Sequence, residues 1–64
     1  MPRYKVKVQL SGEDGNAFAI LGRVQRALKD AGASKIEIDR FTSEATSDGY
    51  DELIRTCMRW VKVR

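Results

Sequence analysis

Apolar and polar residues alternate from Tyr4 to Leu10. Tyr4, Val6, Val8 and Leu10 fall on one side, and Lys5, Lys7 and Gln9 on the other. A period of two with β-branched residues predicts a strand with one buried face. Ser11-Gly12-Glu13-Asp14-Gly15, a run of turn formers, ends it. The period then changes. Ala17, Phe18, Leu21, Val24, Leu28 and Ala31 recur at helical spacing, which predicts a helix from Asn16 or Ala17 to Ala31 with one stripe toward a core. Arg23, Arg26, Lys29 and Asp30 lie on or near its other side. Asp14 or Asn16 stands where the first amides need a cap, and Gly32 where a left-handed C-terminal residue belongs. Gly22 breaks the pattern. A mid-helix glycine costs about 1 kcal/mol against alanine, so it predicts a close backbone approach.

Residues 34–46 carry two signals. Lys35-Ile36-Glu37-Ile38 begins like a strand, but the alternation fails at Asp39-Arg40-Phe41. Ser34-Lys35-Ile36-Glu37 matches a capping box, and Ile38, Phe41 and Ala45 then form a stripe, so helix is preferred. Arg40 and Glu44 are spaced as an i,i+4 ion pair. After Ser47-Asp48-Gly49, Tyr50, Leu53, Ile54, Cys57 and Met58 describe a third helix. Asp48, Asp51 and Glu52 stand at its start, where the helix dipole favours negative charge. Trp60-Val61-Lys62-Val63-Arg64 alternates again and reads as a second strand. The fold class expected is therefore α+β over residues 1–64 as one small domain, in the order β-α-α-α-β. A lone strand leaves its backbone unpaired, so the two terminal strands pair in a small sheet with the helices packed on one face. The pattern leaves their relative direction open.

Composition narrows the function classes. The 64 residues include 12 Lys+Arg, 9 Asp+Glu, no His and one Cys, for a net charge of +3. One cysteine forms no internal disulfide, and without histidine the common zinc ligand sets cannot be assembled, so no cofactor or metal is expected. The start, Met1-Pro2-Arg3-Tyr4-Lys5, lacks the apolar core of a signal peptide, and no apolar run approaches the roughly 20 residues of a membrane span. The expectation is a soluble cytoplasmic protein, which the lone thiol fits. Charge is also uneven. Residues 1–10 and 60–64 carry Arg3, Lys5, Lys7, Lys62 and Arg64 and no acid, whereas residues 11–59 hold all 9 acids.

Three segments, Gly12-Glu13-Asp14-Gly15-Asn16-Ala17-Phe18-Ala19-Ile20, Ala45-Thr46-Ser47-Asp48-Gly49-Tyr50 and Trp60-Val61-Lys62-Val63, resemble a group of short uncharacterised bacterial and phage-associated proteins. The resemblance runs over nearly the whole chain. It implies a bacterial cytoplasmic origin and a complete protein of this length, but it brings no activity and no site residues.

The terminal strands hold the sharpest chemical signal. With the valines toward the helices, Lys5, Lys7, Lys62 and Arg64 share the open face, and Trp60 has the parity of Lys62. A cationic sheet face with one ring suits nucleic acid, through phosphate contacts and base stacking. The plainer account is solvation, since lysine on an edge strand also guards against aggregation. Other constellations are weaker. Glu13 and Asp14 would repel a phosphate at the glycine-rich turn, and Glu13, Asp14 and Asn16 supply too few oxygens for calcium. Cys57, Ser11, Ser34, Ser43 and Ser47 have no histidine base. Helix-start chemistry accounts for Asp48, Asp51 and Glu52. The leading expectation is a non-enzymatic interaction module acting by self-association, as a homodimer joined through its open sheet edges, or on a protein partner. Nucleic-acid binding through Lys5, Lys7, Trp60, Lys62 and Arg64 is the alternative. No small-molecule substrate is evident.

Overall fold

Strand, three helices and strand follow one another as expected: β1 (Lys7–Val8), α1 (Ala17–Asp30), α2 (Lys35–Ala45), α3 (Gly49–Trp60) and β2 (Lys62–Val63). The computed structural model describes residues 2–10 and 16–63, so Ser11 to Gly15 and Arg64, with the expectations attached to them, lie outside the described residues.

Local chemistry sets the helix ends. Asn16 Oδ1 accepts from the amides of Phe18 (2.9 Å) and Ala19 (3.3 Å) and starts α1. The helix closes on Gly32, at φ 93°, with Ala33 N–H donating to Leu28 O (2.9 Å) and Gly32 N–H to Lys29 O (3.1 Å). That double bond pattern needs a left-handed residue, and glycine takes the conformation without a Cβ penalty. Ser34 Oγ accepts from Glu37 N–H at 3.2 Å and starts α2. The Glu37 carboxylate lies between Arg3 (3.9 Å) and Arg40 (3.8 Å). Arg40 is thus engaged with Glu37 and not with Glu44 as its spacing predicted. Asp48 precedes α3 but makes no side-chain cap there.

The buried stripe of α1 is Ile20, Val24 and Leu28. Phe18 is not part of it. Two residues before Ile20, it sits about 160° round the helix from that side chain and is 84% exposed. Gly22 also faces outward, and a Cβ built there would meet nothing within 4 Å among the described residues, so no close approach there explains it. Phe41 and Ala45 from α2 and Leu53, Thr56, Cys57 and Trp60 from α3 complete the helical part of the core, with Val8, Leu10 and Val61 beneath. Tyr50 and Met58, grouped with the core by spacing, are exposed instead.

The two strands pair parallel, with Lys7 beside Lys62 and Val8 beside Val63. The pairing extends past the strands. Lys62 N–H donates to Val6 O (3.0 Å), while the amides of Arg3 and Tyr4 donate to the carbonyls of Arg59 (2.9 Å) and Trp60 (2.8 Å). The N-terminal segment therefore satisfies carbonyls of the last turn of α3, which a helix end otherwise leaves unpaired.

Candidate functional site

Two surfaces stand out, one cationic and one apolar. The cationic one is the open face of the ribbon. Lys5, Lys7 and Lys62 are exposed, and none forms an ion pair among the described residues. The register sets Lys7 and Lys62 side by side, a like-charge neighbour pair that is mildly destabilising. Arg64 lies outside the described residues.

Trp60 is not on that face. It ends α3 and does not begin the strand, so the strand parity that grouped it with Lys62 does not apply. It is 2% exposed. Its ring stacks with Tyr4 at a centroid distance of 6.2 Å and meets Phe41 edge-on at 5.8 Å. The Arg3 guanidinium lies 4.6 Å from the ring centroid, a cation–π distance. The indole N–H donates to Glu44 Oε1 at 3.0 Å, so its one polar atom is satisfied. No ring face is left for a base, and the ring cannot serve as a stacking platform without unpacking the core.

The apolar surface was missed by periodicity. Phe18 at the start of α1 and Tyr50 at the start of α3 (47% exposed) stand on the rim of a groove of about 230 Å³ floored by Leu21, Ala45 and Leu53. Tyr50, Ile54 and Met58 recur every four residues along one flank of α3, and Met58 is 58% exposed. The signal was present in the sequence as excess width. Ala17 with Phe18 in the first helix, and Tyr50 to Met58 in the third, give apolar arcs wider than one buried stripe requires.

Two further titratable groups, Glu52 and Cys57, are held by their surroundings. Arg59 donates to Glu52 Oε2 at 2.8 Å, Thr56 Oγ1 does so at 3.4 Å, and Arg55 stands 3.9 Å from Oε1. The hydrogen bond from Arg59, helped by its charge, by Thr56 and by Arg55, holds the Glu52 carboxyl below its ordinary value against the opposing effect of burial. Glu52 is therefore an ionised anchor at neutral pH. Burial pushes the Cys57 thiol up to about 11, so it stays protonated and unreactive. Among the described residues there is no cluster of three metal-ligating side chains and no helix long and apolar enough to cross a membrane. No protein-family model, no curated protein and no solved structure matches the chain.

Proposed function

We propose that the chain is a non-enzymatic interaction module that binds protein through the apolar groove rimmed by Phe18 and Tyr50. The observation that carries this reading is Phe18, a phenylalanine 84% exposed on the rim of an apolar groove. Leaving such a side chain in water forgoes about 1.5–3 kcal/mol that burial would supply. Aromatic residues and methionine are also what protein interfaces are enriched in. The sheet edges offer less, because strands of two residues have few free backbone groups to pair with a neighbour. The lone thiol, buried and reduced, fits action in the cytoplasm. Nucleic-acid binding retains Lys5, Lys7 and Lys62 as phosphate contacts but has no ring to stack.

A photo-crosslinking residue placed at Phe18, at Tyr50 or at Asp39 tests the reading in cells that make the full chain; Asp39 lies on α2, outside this face. Protein adducts from positions 18 and 50, and not from 39, are expected. Equal adducts at all three, or none, would overturn it. So would salt-sensitive oligonucleotide binding that is lost in Lys5→Glu/Lys62→Glu, which would move the function to the ribbon.

A further inference from the structure

Gly22 is unexplained within the chain. It sits in the middle of α1, where glycine costs about 1 kcal/mol against alanine. Its φ is not positive, and among the described residues no atom outside its own helical backbone comes within 4 Å of where a Cβ would stand. Phe18 lies one helical turn earlier on the same flank, about 6 Å along the axis, and both line one shallow depression with Arg23 and Arg26. The flank thus carries a protruding ring and, one turn on, a bare backbone. A surface bearing both a knob and the matching gap is self-complementary, which is what a two-fold interface requires.

We propose that this face pairs with a second copy of the chain, with the two α1 helices antiparallel and the Phe18 ring of each seated on Gly22 of the other. The proposal rests on the reading that this face binds protein, and it names the partner. A two-fold axis crossing α1 at the level of Ile20 brings position 18 opposite position 22. Charge fixes the direction. The cations of α1, Arg23, Arg26 and Lys29, all lie in its C-terminal half, and its one acid is Asp30 at the end. Parallel helices would set these cations against one another. Antiparallel helices put them at opposite ends of the interface. Arg26 of each copy then stands by the partner's Phe18 ring, in reach of a cation–π contact. The basic halves also approach the start of α3, where Asp48 and Asp51 are exposed beside Tyr50. The contact is small. An interface confined to one helix flank and a tyrosine sits at the low end of interface sizes, where transient association is usual.

Sedimentation equilibrium on the full chain tests the pairing. The mass should rise from 7.2 kDa toward twice that value between about 10 μM and about 1 mM, the range that an undersized interface implies. Gly22→Leu fills the gap and Phe18→Ser removes the knob; both should stay at 7.2 kDa throughout. A melting temperature for Gly22→Leu at least equal to that of the parent at low concentration shows that the variant still folds. Register is read by oxidising a mixture of Phe18→Cys and Gly22→Cys chains, with buried Cys57 as a bystander. The 18–22 disulfide should exceed the 18–18 and 22–22 products several-fold. A parent chain that remains monomeric at about 1 mM, dimers unaffected by Gly22→Leu, or a dominant 22–22 product would each overturn the proposal. A monomeric chain that still crosslinks from position 18 to a different protein sinks the pairing alone and leaves the interaction module standing.

Discussion

Replacing Gly22 by alanine should stabilise the isolated chain. Among the described residues the added methyl meets no atom within 4 Å outside its own helical backbone, and φ there is not positive, so neither clash nor strain opposes the change. The helix gains about 1 kcal/mol of propensity, part of it from the reduced freedom of the unfolded chain. Unfolding entropy of about 2.1 cal/mol/K per residue gives 64 residues about 0.13 kcal/mol/K, so the midpoint should rise by about 7 °C. In a chain this short, with a total stability of only about 3–5 kcal/mol, the shift is easily read. Thermal unfolding followed by far-UV circular dichroism at about 5 μM, where a weak dimer is dissociated, is the assay. An unchanged or lowered midpoint would refute the reasoning, because it would mean that the monomer itself requires glycine at this position. The advantage of alanine should narrow as protein concentration rises, since the parent alone gains the full contribution of pairing.

Further outcomes follow from the core and the ribbon. Trp60→Ala removes the ring that joins Tyr4, Phe41 and Arg3 and should cost about 3–5 kcal/mol, enough to unfold the chain by circular dichroism, whereas Trp60→Phe should fold with a lower midpoint because Glu44 loses its N–H donor. The Cys57 thiol ionises near 9.0 when unfolded and near 11 when folded, so stability should fall as pH climbs through that window and should be intact below it; denaturant midpoints of the parent and Cys57→Ala, compared from pH 8 upward, should diverge with the parent losing more. Lys7→Glu turns a repulsive neighbour pair into an attractive one with Lys62 and should add about 0.2–1 kcal/mol in urea titrations at low salt, with the gain shrinking as salt is raised.

Most of the backbone was legible because each element announces itself locally. The alternation of residues 4–10, the Asn16 and Ser34 caps and the glycine at 32 all act within a few residues; the structure keeps the alternating burial of 4–10, though its strand shortens to Lys7–Val8, and uses the caps and the glycine as read. What the pattern did not carry was which flank of a broad apolar arc turns inward. Phe18, Tyr50 and Met58 share helical spacing with Leu21, Leu53 and Ile54, and only the positions of neighbouring elements decide between them. Trp60 failed for a related reason. Its parity was counted along a strand, but α3 runs one residue further than the alternation implied, and one step into a helix moves a side chain by about 100°. The bond from Trp60 to Glu44 spans 16 residues and has no sequence signature, so the ion pair proposed for Glu44 was the nearest local guess. Lys5, Lys7 and Lys62 are exposed on the ribbon as their parity predicted, while the exposure of Phe18, Tyr50 and Met58 was hidden among residues assigned to the core.

The ribbon also governs the order in which the molecule assembles. Lys7 and Lys62 stand 55 positions apart, whereas α1 with α2 and α2 with α3 are neighbours along the chain. Closing so long a loop carries a large entropic penalty before any contact offsets it, so the helical hairpins should form early and the terminal pairing late. The amides of Arg3 and Tyr4 reach Arg59 and Trp60 only in that final step. Phe41 and Glu44 of α2 can hold the indole as soon as the helices pack, but its contacts with Tyr4 and Arg3, and the pairing of the last α3 carbonyls, should form only when the two extremities meet.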